Sequence, residues 1–195
     1  LSSSIPQALY NRAIALRKLR RVKEEKLALR DYLDAYSSGN FARLAADRLN
    51  NLGDYTYRNH RLGFRTVTLG EIGFILSSDQ LSDTAYPSLD LVGETVANMP
   101  RGMLNVIVYC LNNNDLAKNR AISIRDYLTK KFPDLEKNKR IQVSWFGKAE
   151  KRAALKKAIY LKESVQFFLT DFKVEGKTPK KSDHFLFQTY LYTYR

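Results

Sequence analysis

The stretch that comes closest to a chemical site runs from Leu104 to Pro133, LNVIVYCLNNNDLAKNRAISIRDYLTKKFP. Its apolar start predicts a buried strand, its Asn-rich middle a short loop, and the remainder a helix capped by Asn114 or Asp115. Arg120 would lie in the second turn of this helix, close to the loop. A guanidinium placed there can bind a carboxylate through two parallel hydrogen bonds. Alternatively, Arg120 is a surface residue paired with Asp115 or another neighbour, an interaction worth about 0–1 kcal/mol.

No other residues form a recognisable catalytic or metal-binding pattern. Cys110 lies in an apolar run, where a buried, inert thiol is expected. His60 and His184 are far apart and have no cysteine or paired carboxylates beside them, so no zinc site is predicted. The glycines have the spacing of neither a phosphate-binding loop nor a dinucleotide fingerprint. We therefore expect a non-enzyme without a metal or cofactor.

The chain carries a strong positive charge that is unevenly distributed. Its net charge is +13, with eight basic residues against two acidic ones in residues 12–30. Residues 64–105, in contrast, contain five acidic and two basic residues. This balance favours anionic partners such as nucleic acid, lipid head groups or an anionic wall polymer. A solvated helix face explains any single lysine equally well.

Length and hydropathy predict one core with a small helical appendage, because the chain has 195 residues of which 44% are hydrophobic. No run of about 18 apolar residues predicts a membrane-spanning helix. The residues that follow Leu1 lack the charged and apolar regions of a signal peptide, so none is expected in this sequence.

The N-terminal third is predicted to be helical. Ser4 and Pro6 favour the start of a long helix that ends near Tyr36, with an apolar stripe from Ile5 to Leu19. A second helix capped by Asn40 would end near Gly53. Residues 1–62 are therefore interpreted as an N-terminal helical extension. Its basic first helix either packs against its own domain or docks on a partner or membrane surface, and we expect a partner role for at least part of it.

From residue 64 onwards the pattern predicts alternating strands and helices. One or two strands are expected in residues 64–81, followed by a helix capped by Ser82 that ends before Pro100. After the strand and helix described above come a strand at 139–147, a basic helix or extended turn at 148–161 and a strand at 163–172. The alternating tail, residues 182–194, predicts one more strand. The order β-α-β-α-β, an α segment and β-β indicates an α+β fold in which helices cover a mixed β-sheet.

This fold class makes a specific prediction about packing. The strand that contains Val106, Ile107 and Val108 should neighbour the strand at 139–147 in one sheet. Ile124 and Leu128 should pack on that sheet. In the neighbouring strand, the residues expected beside them are Ile141, Val143 and Trp145.

The element order and three short patterns resemble the OmpA-like domain, the peptidoglycan-associating module of outer-membrane proteins, Pal-type lipoproteins and flagellar stator proteins. The resemblance covers roughly residues 64–172. GFILSSDQLSDTAYPSLDLVGETVANMP and RIQVSWFGKAE are similar to the family's opening and to a later strand and turn. NDLAKNRAISIRDYL is similar to the family's Asn-x-x-Leu-Ser-x-x-Arg-Ala helix, matched by Asn113, Leu116, Ala117, Arg120, Ala121, Ile124 and Leu128. The resemblance implies an OmpA-like domain at residues 63–195 with one or more extra C-terminal strands.

Two departures from the family pattern concern its ligand. In the family, the aspartate of a Thr-Asp-x-x-Gly loop and the helix arginine hold the diaminopimelate of the peptidoglycan stem peptide. Here the loop is several residues shorter, and Leu111 stands about where the aspartate belongs. Lys162-Glu163-Ser164-Val165 replaces the family's Asn-Arg-Arg-Val, so its second arginine is missing. Arg120 can still donate to the ligand's carboxylate, but an acceptor for its ammonium is lacking unless Asp115 or a displaced Asn supplies it.

Three functional hypotheses follow. The first is a non-catalytic, periplasmic or outer-membrane-associated structural protein with a degenerate OmpA-like domain, a scaffold that contacts other envelope proteins in a secretion or motility machine. The second is a working peptidoglycan anchor in which the candidate residues Asn113, Leu116 and Arg120 form a rebuilt pocket. The third is a nucleic-acid binder. Charge alone suggests the third, and without an RRM, KH or helix-turn-helix signature no nucleic-acid partner is expected.

Overall fold

The computed structural model describes residues 4–153 and 158–170. Mixed α and β structure with sheets covered by helices agrees with the predicted α+β class. The elements, in chain order, are α1 (Ser4–Lys18), α2 (Val22–Tyr36), α3 (Ala42–Asn51), β1 (Tyr57–Leu62), β2 (Arg65–Gly70), a 3₁₀ turn (Asp83–Ala85), α4 (Tyr86–Ala97), β3 (Met103–Cys110), α5 (Asn114–Lys131), α6 (Pro133–Lys137), β4 (Ile141–Phe146), β5 (Glu150–Ala153), β6 (Ala158–Leu161) and β7 (Glu163–Thr170).

The central sheet has the strand order β4-β3-β7. β3 runs parallel to β4, with Val106 opposite Val143 and Val108 opposite Trp145. β7 is antiparallel to β3 on its other side. Ile124 and Leu128 of α5 are fully buried in the core that this sheet forms. The packing predicted for these two strands and their helix is therefore confirmed.

The three N-terminal helices form a separate small core. It contains small residues that allow close helix packing, together with large side chains such as Leu29, Leu33 and Leu49. Tyr32 is completely buried at its centre, and its hydroxyl accepts a hydrogen bond from the backbone N–H of Phe41 at 3.2 Å. The side chain of Tyr57 in β1 packs against this core and donates a hydrogen bond to Asp34 at 2.6 Å. The helical extension is therefore attached to the β1–β2 hairpin.

The predicted single helix from Ser4 to Tyr36 is wrong, because the chain turns at Leu19–Arg21. Arg20 has a φ of +58°, the left-handed conformation in which helices often end. The turn folds α1 back on α2, and Leu19, which was expected on the buried stripe, is 65% exposed. The second helix begins at Ala42 rather than after a cap at Asn40.

Two further predictions differ from the structure. Residues 148–161, predicted as a basic helix or extended turn, contain the antiparallel pair of β5 and β6. Ser82 precedes a 3₁₀ turn instead of capping the helix directly, and its side chain makes no capping bond.

The expected division between residues 62 and 63 falls in the turn of the β1–β2 hairpin. The strand predicted at residues 182–194 lies outside the described residues.

Candidate functional site

Arg120 is positioned by a helix cap at the end of β3. The side-chain oxygen of Asn113 accepts a hydrogen bond from the backbone N–H of Leu116 at 2.9 Å, which fixes the start of α5. The cap is thus Asn113 and not Asn114 or Asp115 as predicted. From this start, the second turn of α5 faces the sheet, and the Arg120 guanidinium lies beside Cys110, the last residue of β3.

The guanidinium of Arg120 is buried and surrounded by partners, since the residue is only 3% exposed. Its Nε donates to the carbonyl of Ser78 at 2.9 Å, and its Nη1 donates to Oε2 of Glu163 at 2.7 Å. The ring of Phe74 lies 4.5 Å below the guanidinium carbon. Arg120 is therefore neither a surface residue nor a partner of Asp115.

Glu163 reaches Arg120 because the two strands that carry the site end together. It is the first residue of β7 and pairs with Cys110 in the β3–β7 ladder. The Glu163 side chain is 59% exposed, so one partner of the ion pair is buried and the other meets solvent. Burial raises the pKa of the Cys110 thiol, and the nearby Arg120 offsets only part of this effect. A thiol in this state is a poor nucleophile.

The three residues predicted to form a peptidoglycan site do not line one pocket. Arg120 lines a cleft of about 660 Å³, whereas Asn113 and Leu116 are not among the residues that line it. The Asn113 side chain serves the helix cap, and Leu116 packs half-buried against the main core. Leu111, which stands near the family's aspartate position, is exposed and apolar.

The cleft lies between the helical extension and the sheet, and its walls carry many charges that are already paired. Arg30 from α2 donates to Asp54 at 2.8 Å, and both residues line the cleft. Asp54 also accepts hydrogen bonds from Thr56. Burial raises the pKa of the Asp54 carboxyl, but these hydrogen bonds and the guanidinium outweigh it and hold that pKa below its usual range.

A second buried charge cluster centres on Glu150, which is 2% exposed, and two of its members, Arg58 and Ser164, line the cleft. Its carboxylate accepts hydrogen bonds from Arg58 at 2.9 Å and Ser164 at 2.6 Å, and it also contacts Gln166 and Arg152. Burial raises the pKa of this carboxyl, but the two guanidinium groups and the hydrogen bonds outweigh that effect. The Glu150 pKa therefore lies below its ordinary value.

His60 and Arg58 of β1 bind the backbone edge of β7 with their side chains. The imidazole Nδ1 of His60 accepts a hydrogen bond from the N–H of Phe167 at 3.2 Å, and the two rings meet edge to face. Arg58 donates to the carbonyl of Val165. Burial, together with the positive charges of Arg58 and Arg152, lowers the pKa of His60 to about 3.

Sequence reasoning identified Arg120 but missed its partner and the whole Glu150 cluster. Glu163 follows Arg120 by 43 residues, and Arg58 precedes Glu150 by 92. No spacing rule links residues so far apart. The only local signal for the partner was that Glu163 stands where the OmpA-like pattern has an arginine.

The described residues, 4–153 and 158–170, contain no cluster of three or more His, Cys, Asp or Glu side chains that could hold a metal ion. In the same residues, no helix combines the length and the apolar character needed to cross a membrane. No protein-family model and no curated protein matches the sequence.

Proposed function

We propose that this chain is a non-catalytic structural protein of the cell envelope with a degenerate OmpA-like domain. It serves as a scaffold in a periplasmic or outer-membrane complex, such as a secretion or motility machine, and its partners are other envelope proteins. Peripheral association with the outer membrane belongs to the same proposal.

The arrangement of the strands supports the resemblance on which this proposal rests. A β-α-β unit with parallel strands, β3 and β4, is flanked by the antiparallel β7, and α5 packs over the parallel pair. The helix arginine lies at the end of β3, next to the turn that would carry the family's loop. Unrelated α+β domains share these features, so the proposal depends more strongly on the residues around Arg120.

The single observation that carries the proposal is the Arg120–Glu163 ion pair. The position from which Arg120 would grip a ligand carboxylate is filled by a carboxylate of this chain, at 2.7 Å. Glu163 also places a negative charge where the family has an arginine, and it would repel the stem peptide's carboxylate. The substituted site thus selects against diaminopimelate, and the domain is left with a structural role.

One observation favours the alternative, a peptidoglycan anchor that uses Arg120. The Glu163 carboxylate is 59% exposed, so solvent weakens its attraction to Arg120 although the guanidinium itself is buried. A ligand carboxylate that entered from the cleft could replace Glu163, because the guanidinium would stay paired and Glu163 would be solvated. Under this alternative, Glu163 pairs with Arg120 only until the carboxylate of the ligand replaces it.

A titration of the purified chain with a diaminopimelate-containing muropeptide separates the two functions. We expect no saturable binding by the parent protein or by Arg120→Ala. Glu163→Gln, which removes the competing charge, should gain weak binding, whereas the exposed control Glu136→Gln should not. Micromolar binding by the parent that is lost in Arg120→Ala would refute the scaffold proposal in favour of the anchor.

The proposed location has its own test. Cell fractionation with an antibody against the chain should recover the full-length gene product with periplasmic and outer-membrane markers. Recovery with cytoplasmic markers alone would exclude both envelope functions and leave nucleic acid as the partner class to examine.

A further inference from the structure

The corner between α1 and α2, residues 17–23, combines exposed apolar side chains with a concentrated positive charge. Leu19 is 65% exposed and Val22 is 45% exposed. The other five residues of the corner are all cationic and all exposed: Arg17, Lys18, Arg20, Arg21 and Lys23. The nearest acidic side chain, Glu24, is paired with Arg21 at 2.9 Å. Within residues 4–153 and 158–170, the other four cations of the corner form no ion pair, and they surround two exposed apolar side chains.

The backbone of the corner holds these side chains at the end of the helical hairpin. The N–H of Arg20 donates to the carbonyl of Arg17, and the N–H of Arg21 donates to that of Leu16, both at 3.0 Å. Arg20 adopts a left-handed conformation, for which glycine is the usual choice. A glycine would have avoided the strain of this conformation, whereas Arg20 adds a positive charge to the corner.

Outside the corner, three of the five cations of α1–α3 are paired with carboxylates. Arg12 pairs with Asp31 at 3.2 Å, and Arg48 binds the buried Glu25 at 2.6 Å. Arg30 is paired with Asp54. The largest group of unpaired cations among the described residues of α1–α3 therefore lies at the corner, next to its exposed apolar residues.

We propose that the α1–α2 corner binds an anionic lipid surface, with Leu19 and Val22 inserted at the level of the head groups and the surrounding cations on the lipid phosphates. A lipid surface uses both properties of the corner, since apolar side chains enter the interface while Lys and Arg remain at the anionic head groups. A nucleic acid would use the cations but could take up a protruding leucine only by unstacking its bases, and the corner has no aromatic side chain on which bases could stack. Which membrane is bound rests on the proposed envelope location.

Co-sedimentation of the full chain with lipid vesicles tests the charge requirement. We expect binding to phosphatidylcholine vesicles that contain about 30% phosphatidylglycerol, and little binding to phosphatidylcholine alone. Each juxtamembrane cation strengthens binding about fivefold, so Lys18→Gln/Arg20→Gln should weaken it about 30-fold. The control Lys130→Gln/Lys137→Gln makes the same change in net charge at two exposed residues, one near the C-terminal end of α5 and one in α6. This control should bind the vesicles like the parent.

The apolar requirement needs a separate variant. Leu19→Ser should weaken vesicle binding about tenfold, because it removes most of the apolar surface that would be inserted. Leu76→Ser, at another exposed leucine, is its control. A polarity-sensitive dye on Leu19→Cys gives a direct signal, since the native Cys110 is buried and should resist labelling. Its emission should shift to the blue with anionic vesicles and be quenched by brominated lipids.

Three results would overturn this assignment. The first is that the parent does not sediment with anionic vesicles at low salt. The second is that Leu19→Ser binds these vesicles as well as the parent does. The third is that a single-stranded oligonucleotide binds the parent more tightly than the vesicles do and binds Leu19→Ser equally well. The vesicles contain no peptidoglycan and the muropeptide contains no lipid. Failure of the lipid contact and failure of the proposed scaffold function are therefore observed in different experiments.

Discussion

Mild acid should destabilise this protein at a pH where its carboxylates are still ionised, because His60 is buried in its neutral form. Burial and the charges of Arg58 and Arg152 lower its pKa from 6.5 to about 3. Its Nδ1 accepts a hydrogen bond from Phe167 and so carries no proton. Between pH 6.5 and 3 the unfolded chain binds more protons at this residue than the folded chain does. Stability therefore rises with pH across this window and falls on acidification.

The size of the effect follows from the two pKa values. The limiting slope for one proton is about 1.4 kcal/mol per pH unit, so acidification from pH 7 to pH 5 should cost about 2 kcal/mol of unfolding free energy. The carboxyl of Glu150 has a lowered pKa, and its stabilisation is lost only as the pH falls below about 4.5. The loss between pH 7 and 5 is therefore assigned to the imidazole.

Urea unfolding at pH 7, 6 and 5 measures this loss in the parent and in His60→Asn. The asparagine oxygen lies near the position of Nδ1, accepts the same hydrogen bond and does not titrate. The variant should be less stable at pH 7, because it loses the ring contact with Phe167, but its stability should depend on pH by about 2 kcal/mol less. In NMR spectra, the imidazole signal that disappears in the variant should not titrate between pH 5 and 8. If parent and variant show the same pH dependence, His60 is not buried as described.

Two further substitutions test buried contacts, one at the Glu150 cluster and one between α4 and the end of α5. Glu150→Gln should cost about 3–5 kcal/mol of unfolding free energy, because it leaves the largely buried Arg58 and the partly exposed Arg152 without their counter-charge. The exposed Glu136→Gln should change the unfolding free energy by less than about 0.5 kcal/mol, and equal effects of the two variants in urea unfolding would contradict the buried cluster. Gly93→Ala should cost about 1–3 kcal/mol of unfolding free energy, because its new methyl group meets the Phe132 ring. In thermal unfolding, the double variant Gly93→Ala/Phe132→Leu should recover part of this stability. If it recovers none, the contact with Phe132 is not the cause of the loss.

The parts of the fold that were predicted correctly are those in which local pattern and tertiary packing agree. β3 alternates fully buried and half-buried residues along its length, and its apolar sequence is what a central strand needs. Ile124 and Leu128 are one helical turn apart on α5 and pack on that strand and its neighbour. Such periodicities are visible without knowledge of the partner element.

The errors arose where a distant contact or an unusual backbone decided the structure. Residues 148–161 are rich in Ala, Lys and Leu, which favour helix. The buried contacts of Glu150 with Arg58 and Ser164 hold the start of this segment as a strand instead. The turn at Leu19–Arg21 has no glycine or proline to mark it, because Arg20 itself adopts the left-handed conformation.

The candidate site shows the same division. Arg120 was identified because its spacing from Asn113 within one helix matches a short pattern. Its acceptor, Glu163, comes from a strand 43 residues later and reaches it only when β7 pairs with β3. A local pattern can therefore name the donor of this ion pair, but the acceptor depends on the topology of the sheet.

The way in which β1 meets β7 limits how this protein can aggregate. An open sheet edge offers rows of N–H and C=O groups to strands of other molecules. On β7 the Phe167 N–H and the Val165 carbonyl are already occupied by the side chains of His60 and Arg58. A strand arriving from another copy would have to displace the buried imidazole and a guanidinium whose side chain is only 11% exposed. In the described part of the chain, edge-to-edge stacking of the central sheet is thereby directed to its opposite side, along β4.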